Sequence, residues 1–173
     1  MNEPVPTLAV RPLESRDIPQ LVVLNRAAVP AVNDIDADAM QTLVSHSRLA
    51  AAAVDPAHPD AVLGFVLALA PGVDYASENY RWFSARGGAF LYVDRIVVAE
   101  GRRSQGIGAL LYDAVFAAAS ADGAAEVDCE VNVEPPNPGS LAFHGRLGFE
   151  EVGRQATKGG AVVVALLACT IPA

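Results

Sequence analysis

The segment between residues 90 and 133 constrains the fold of this chain more than any other. Residues 90–98 are rich in β-branched and aromatic side chains, which predicts a strand, and residues 127–133 predict a second one. Between them, apolar residues recur at intervals of three and four over 106–120, and Gly123 follows. This pattern predicts an amphipathic helix with a defined end. A strand, a helix and a strand in this order indicate an α/β architecture.

The remaining elements indicate a mixed sheet rather than a purely parallel one. Their predicted order is β-α-α-β-β-loop-β-α-β-α-β-β, in which single helices separate the strands of the second half and hairpins join others. The long irregular stretch at 71–89 is typical of a functional loop or of one that holds a short helix. No repeat or linker interrupts the chain, which predicts a single domain over residues 1–173. The predicted strands are 7–11, 49–54, 61–69, 90–98, 127–133, 149–155 and 161–169, and the helices lie within 15–30, 34–46, 106–120 and 141–147. Asn137 as N-cap and Pro138 as the first helical residue mark the start of the last helix.

The net charge argues against a nucleic-acid partner. Twelve Lys and Arg against twenty Asp and Glu give a net charge of -8, whereas nucleic-acid binding depends on clustered cations. Lys158 is the single lysine and Gly159 follows it, so a phosphate loop of the G-K-[ST] type is excluded. The acidity fits a cationic or amine-bearing substrate. The alternative is that the negative charge only keeps the protein soluble, as in most acidic proteins.

The apolar runs and the cysteines indicate the compartment. The longest runs, 61–70 and 161–169, fall short of the roughly 20 residues of a spanning helix, and the first residues lack the features of a secretory signal. Cys129 and Cys169 lie in apolar runs, which predicts reduced, buried thiols. Three scattered histidines show no metal-ligand spacing. The sequence therefore predicts a cytoplasmic protein without a metal, membrane or nucleic-acid partner, and it is compatible with a homodimer.

A glycine-rich turn joins the best strand to the best helix. Residues 99–108 read Ala-Glu-Gly-Arg-Arg-Ser-Gln-Gly-Ile-Gly. Backbone N–H groups of such a turn can approach a phosphate closely, and the helix dipole adds attraction. Arg103 can add a charge-assisted contact. The dinucleotide pattern G-x-G-x-x-G fails, since Leu111 stands where its third glycine belongs.

Two motifs of this chain together resemble the GNAT superfamily of N-acetyltransferases. Arg103-x-x-Gly106-x-Gly108, after a strand, resembles the acetyl-CoA pyrophosphate motif of that family. Residues 137–149, Asn-Pro-Gly-Ser-Leu-Ala-Phe-His-Gly-Arg-Leu-Gly-Phe, resemble its N-x-x-[AS]-x-x-[FL]-Y-x-x-x-G-F motif. The resemblance implies the GNAT-like acyl-CoA N-acyltransferase fold, an α/β fold with a mixed, mostly antiparallel twisted sheet flanked by helices. Its two central parallel strands, here 90–98 and 127–133, splay apart.

The resemblance also implies where acetyl-CoA binds. Pantetheine would lie between the splayed strands against the backbone of residues 96–98, and the turn after Arg103 would hold the pyrophosphate. Asn137 would contact the pantetheine arm, cap a helix, or do both. The cofactor residues implied in this way are Ile96, Val97, Val98, Arg103, Ser104, Gln105, Gly106, Ile107, Gly108, Ala109, Asn137 and His144.

Acetyl transfer to an amine needs a base, because an alkylammonium has a pKa of about 10. Glu130, in Cys129-Glu130-Val131-Asn132, resembles the strand glutamate that serves as base in the family, although the loop after it is longer here. Asp94 and Tyr92 on the neighbouring strand are competing bases, and deprotonation through water or by the substrate itself is a further alternative. The predicted oxyanion donor is a backbone N–H near Val98.

His144 is the main departure from the family pattern, because it stands where the family has a tyrosine general acid. An imidazolium, with an unperturbed pKa of about 6.5, can protonate a thiolate over a narrower pH range than a phenol. The alternative is a histidine that only packs or positions its neighbours.

The loop before the central strand combines acidic and aromatic residues that could bind a cationic acceptor. Tyr75, Tyr80, Trp82 and Asp94 are the predicted acceptor-binding residues, although Trp82 equally fits a core position. The predicted function is transfer of acetyl from acetyl-CoA to a primary amine of a small molecule or peptide. The alternatives are a non-catalytic acetyl-CoA sensor and an acyltransferase that uses another acyl-CoA.

Overall fold

A computed structural model describes residues 7–172 of the chain. It contains seven strands and five helices in these residues, together with two short 3-10 turns at Ser15–Asp17 and Lys158–Gly160. The strands are β1 (Ala9–Pro12), β2 (Leu49–Val54), β3 (Gly64–Leu69), β4 (Phe90–Val98), β5 (Glu126–Glu134), β6 (Glu150–Thr157) and β7 (Val162–Thr170). The helices are α1 (Ile18–Ala27), α2 (Ala37–His46), α3 (Glu78–Arg86), α4 (Ile107–Ala121) and α5 (Pro138–Arg146).

The strands form one mixed sheet in the order β1-β2-β3-β4-β5-β7-β6. Every neighbouring pair is antiparallel except β4 and β5, which run parallel because α4 crosses over between them. The predicted mixed, mostly antiparallel sheet is confirmed.

Each face of the sheet has its own apolar core, because consecutive residues of a strand point to opposite faces. On one face α1, α2 and α3 cover the sheet, where Met40 and Phe83 belong to the same cluster as Tyr92. On the other face α4 packs against the sheet, where Leu111 belongs to the same cluster as Leu91. The loop at 71–89, which holds α3, therefore lies on one face of the sheet, and the glycine turn that precedes α4 lies on the other.

The strand boundaries lie within two residues of the sequence prediction except at β3. β3 begins at Gly64 rather than at residue 61, since the N–H of Ala61 closes a turn onto the carbonyl of His58. The loop at 71–89 holds α3, whose N-cap Ser77 accepts from the N–H of Tyr80. α5 begins at Pro138 after its N-cap Asn137, as this residue pair predicts, three residues ahead of the apolar segment that starts at residue 141. Across residues 7–172, no helix is both long enough and apolar enough to cross a membrane.

Candidate active site

The two parallel strands at the centre of the sheet separate after three residue pairs. β4 and β5 pair only at Phe90–Tyr92 with Glu126–Asp128, although the strands continue to Val98 and Glu134. β3 pairs with the other edge of β4, and β7 pairs with the other edge of β5. These antiparallel pairings hold β4 and β5 apart, so the gap between the two strands stays open. A cavity of about 460 Å³ is lined by residues of both strands and by groups from both faces of the sheet. The gap is thus an opening through the sheet, accessible to a donor on one side and an acceptor on the other.

The backbone of β4 directs hydrogen-bonding groups into this gap. The N–H of Ala99 donates to the carbonyl of Leu63 on the β3 side at 2.8 Å. Because backbone groups alternate between the two edges of a strand, those of Ile96 and Val98 face the gap. The side chain of Ile96 also lines the cavity. These free backbone groups can pair with an extended amide-bearing ligand.

The glycine turn ahead of α4 has the left-handed backbone that exposes N–H groups. Gly106, the N-cap of α4, has φ 78° and Ser104 has φ 65°. Alternation of left- and right-handed residues forms a concave nest for anions, and the helix N-terminus adds to it. Arg103 is exposed beside the turn. A Cβ at Gly108 would come within 2.9 Å of the ring of Phe143, so this glycine lets α5 pack closely on α4.

Glu130 lies in the wall of the cavity at the start of the gap. Its Oε2 accepts a 2.7 Å hydrogen bond from the hydroxyl of Tyr92. Burial, followed by the negative charge of Asp94, raises the pKa of Glu130 to about 8. The carboxyl group is therefore largely protonated at neutral pH and becomes a base as the pH rises through 8.

Asp94 also borders the cavity, but other side chains hold it. It is the extra residue of a bulge in β4, because Val93 pairs with Ala68 and Arg95 pairs with Leu67. Its Oδ1 accepts from the hydroxyl of Tyr75 at 2.6 Å, and its Oδ2 accepts from Nε of Arg95 at 2.7 Å. Both oxygens of Asp94 are thus engaged, whereas Glu130 receives one hydrogen bond from Tyr92.

Arg95 connects Asp94 to the segment between α1 and α2. The guanidinium donates to Oδ1 of Asn25 at 2.8 Å and to Oδ1 of Asn33 at 2.9 Å. Its side chain is 3% exposed. The amide of Asn132 also donates to the carbonyl of Pro30 at 3.0 Å. These bonds hold the α1–α2 segment over the cavity, where Asn33 forms part of the wall.

The predicted acceptor residues fall into two groups. Tyr75 and Asp94 line the cavity, and burial raises the pKa of Tyr75. Tyr80 is 3% exposed and lies outside the lining, because its hydroxyl donates to the carbonyl of Ala70 at 2.7 Å. Trp82 packs on the ring of Phe83 and also lies outside the lining. The structure therefore places Tyr80 and Trp82 in the anchoring of α3 and not at the cavity.

His144 reaches the cavity from α5 and is 4% exposed. Its Nδ1 lies 2.8 Å from the carbonyl oxygen of Ser140, and its Nε2 lies 2.8 Å from the hydroxyl of Tyr112. Burial lowers the pKa of the imidazole. Asn137 also lines the cavity and acts as the N-cap of α5, accepting from the N–H of Ser140.

Tyr112 is one of the cavity residues that the sequence prediction missed. It is fully buried on α4, and its ring contacts Phe143, His144 and Phe149. Tyr112 lies on the buried face of α4 with Ile107, Leu111 and Val115, so a phenol within an otherwise apolar face was the available indication of a polar role.

Comparison with known proteins places the chain in a family. The model of the acetyltransferase (GNAT) family matches residues 24–149. The chain belongs to the GNAT acetyltransferase family. No curated protein sequence matches the chain.

Solved structures of GNAT N-acetyltransferases agree with this fold at low sequence identity. NAA60 of Arabidopsis thaliana in complex with acetyl-CoA has a TM-score of 0.74 and 23% identity, over 95% of this chain and 99% of that one. The ribosomal-protein-S18-alanine N-acetyltransferase of Escherichia coli has a TM-score of 0.71 and 16% identity, over 96% of each chain. Ard1 of Thermoplasma volcanium has a TM-score of 0.77 and 13% identity, over 96% of this chain and 99% of that one.

The site of this GNAT acetyltransferase fits its acetyl donor, acetyl-CoA, in two respects. The gap offers the unpaired backbone groups of Ile96 and Val98 to an amide-bearing arm. The turn at Ser104 and Gly106 offers a left-handed nest to a diphosphate. Within residues 7–172, no group of three His, Cys, Asp or Glu side chains is arranged to hold a metal ion.

Proposed function

We propose that this GNAT domain transfers the acetyl group of acetyl-CoA to the α-amino group of a peptide, with Glu130 as the base. The observation that carries the proposal is the location of Glu130 in the wall of the opening between β4 and β5. A group at this point can take a proton from an acceptor that enters the gap. Asp94 is the less suitable base, because Tyr75 and Arg95 occupy both of its oxygens.

The pKa of Glu130 supports an α-amine over an ordinary alkylamine. An α-ammonium group has a pKa of about 7.7–8.0, and the pKa of Glu130 is raised to about 8. Proton transfer between groups of matched pKa is nearly balanced in free energy. A lysine side chain, with a pKa of about 10.4, holds its proton too strongly for the same carboxylate. Among the similar folds, one is named as an S18-alanine N-acetyltransferase, an enzyme that modifies a protein residue.

The donor side of the proposal assigns the backbone of Ile96, Val97 and Val98 to the pantetheine arm. Arg103 and the N–H groups of residues 104–109 would hold the diphosphate, and Asn137 would contact the arm from α5. The N–H of Val98, which faces the gap, is the proposed donor to the oxyanion that forms during transfer.

We also propose that residues 1–173 form a single GNAT domain. The family match ends at residue 149, yet β6 and β7 continue the same sheet beyond it through the pairing of β5 with β7. β1 likewise extends the sheet at the other edge, ahead of the matched region. These strands complete the sheet rather than form a second unit.

Thiol release from acetyl-CoA tests the proposal with two matched peptides. One has a free N-terminus and no lysine, and the other has the same sequence with a blocked N-terminus and one lysine. We expect acetyl transfer to the first peptide with kcat/KM at least about tenfold higher, by the pKa argument. Equal or faster transfer to the lysine peptide would contradict the choice of an α-amine.

Binding measured separately distinguishes the enzyme from a sensor. Acetyl-CoA at one hundred times its dissociation constant should stabilise the fold by about 2.7 kcal/mol. Stabilisation without thiol release on any amine would favour a non-catalytic sensor. Faster turnover with propionyl- or butyryl-CoA than with acetyl-CoA would favour an acyltransferase for longer chains.

A further inference from the structure

Three titratable side chains border the cavity on the side of the sheet covered by α4 and α5. They are Tyr112 of α4, Cys129 of β5 and His144 of α5. Glu130 points to the other face, because it follows Cys129 directly along β5. The proposed base therefore lies on one face of the gap, and this group of three lies on the opposite face. The base accounts for the proton lost by the amine, and the departing thiolate needs a proton from another source.

His144 has no ring nitrogen left to reach the departing sulfur. A carbonyl oxygen can only accept, so Nδ1 of His144 carries a proton and donates it to the carbonyl of Ser140 at 2.8 Å. In the neutral imidazole Nε2 then has a lone pair, and it accepts from the hydroxyl of Tyr112 at 2.8 Å. Both nitrogens are thus directed at protein groups.

The hydroxyl of Tyr112, in contrast, keeps a free hydrogen-bonding direction. A phenol oxygen both donates and accepts, and His144 occupies one of these directions. Tyr112 is among the residues that line the cavity, and its side chain is fully buried. When the imidazole is protonated, Nε2–H donates to the Tyr112 oxygen, and the phenol proton becomes free to point elsewhere.

We propose that the hydroxyl of Tyr112 delivers the proton to the departing sulfur. The protonated imidazole of His144 then supplies a proton to the Tyr112 oxygen. The inference rests on the proposed acetyl transfer. As the carbon–sulfur bond breaks, its electron pair stays on sulfur and takes the proton of the Tyr112 hydroxyl. The Tyr112 oxygen takes the proton of Nε2–H from the imidazolium. His144 ends as a neutral imidazole and regains a proton from solvent in the next cycle.

Acidity explains why both residues are needed. A phenol has a pKa of about 10 and a thiol about 8.5, so transfer from Tyr112 alone would run uphill. Burial, and to a lesser extent Cys129, Glu130 and Cys169, raise the pKa of Tyr112 further. An imidazolium is a stronger acid than a thiol, and burial lowers the pKa of His144 against the opposing effect of the Ser140 carbonyl. Coupling the two transfers makes the overall step downhill without leaving a buried phenolate.

The test compares Tyr112→Phe, His144→Phe and the double variant in acetyl transfer to the free N-terminal peptide. Each single variant should lower kcat on the order of 10²-fold and leave KM for acetyl-CoA within about twofold. The double variant should be no slower than the slower single variant, because the two residues act in series. The matched control is Phe116→Leu, which loosens the same aromatic cluster at 5.7 Å from the Tyr112 ring and should keep kcat near the parent value.

Two kinetic results would overturn this proton relay from His144 through Tyr112 to the sulfur. One is a Tyr112→Phe protein with the parent kcat, and the other is a double variant whose losses multiply. Nitrogen NMR of His144 gives a readout without turnover: Tyr112→Phe should shift Nε2 and leave Nδ1 protonated. An unchanged Nε2 signal would also refute the relay. Absence of thiol release in the parent protein with every amine would instead refute the proposed function.

Discussion

The hydroxyl of Tyr92, the last residue of β4 that pairs with β5, donates a 2.7 Å hydrogen bond to Oε2 of Glu130, two residues past the end of that pairing. Tyr92 is fully buried, so the bond ties the proposed base to the rigid end of the gap. The bond favours the ionised carboxylate, while burial and the charge of Asp94 oppose it more strongly. The result is a carboxyl group that titrates near the pKa of an α-amine.

Glu130→Gln should remove the base and keep the donor site. We expect kcat to fall about 10²-fold or more at pH 7, with an unchanged dissociation constant for acetyl-CoA. Turnover should recover in part at alkaline pH, where free amine is abundant. Calorimetry with acetyl-CoA and a pH–rate series from 6 to 10 measure both. A parent rate in Glu130→Gln would transfer the role of base to Asp94.

The pH profile of the parent should follow the raised pKa of Glu130. A base is active when deprotonated, so kcat/KM for the peptide should rise with pH and level off above about 8 when attack by the amine is its limiting step. The kcat value also includes departure of the thiolate, so the proposed role of protonated His144 predicts that kcat declines as the imidazole loses its proton. Tyr92→Phe removes a hydrogen bond that lowers this pKa, so the rise should move to higher pH. The variant should be slower than the parent at pH 7 and similar at pH 9.5. A profile that does not move would show that Tyr92 has no effect on the base.

Gly106→Ala should separate ligand binding from backbone strain. Gly106 and Gly123 lie at opposite ends of α4 with φ of 78° and 68°, and a Cβ at either would meet open space. Alanine at each position should cost about 1–2 kcal/mol of folding free energy through the left-handed backbone. Weaker binding of acetyl-CoA should appear in Gly106→Ala alone. Equal binding in both variants would mean that the turn only starts the helix.

Asp128 should make the fold less stable as pH rises. It is 1% exposed, neither carboxylate oxygen has a hydrogen-bond partner, and burial with the nearby Glu126 raises its pKa to about 8. The folded chain therefore binds a proton that the unfolded chain loses near pH 4, and this contribution is lost between about pH 4 and 8. Asp128→Asn should raise Tm at pH 8.5 more than at pH 4.5. An identical difference at both pH values would contradict a raised pKa.

The sequence by itself determined the order of the elements, because that order depends on local patterns. The spacing of apolar residues specified α4, and Gly106 marked its start because an N-cap with positive φ suits glycine. Asn137 and Pro138 likewise marked the start of α5. Glu130 and His144 were chosen from motifs, and both line the cavity.

Only the tertiary structure decided what these side chains contact. His144 meets Tyr112, which lies 32 positions away, and Asp94 is held by Tyr75 from the preceding loop. Tyr80 and Tyr75 lie in the same acidic and aromatic loop and were predicted to bind the acceptor for the same reason. The hydroxyl of Tyr80 instead donates to the carbonyl of Ala70. The physical reason is that a residue's pKa and its free hydrogen-bonding directions depend on burial and on neighbours that folding brings from distant parts of the chain. Local sequence patterns do not contain that information.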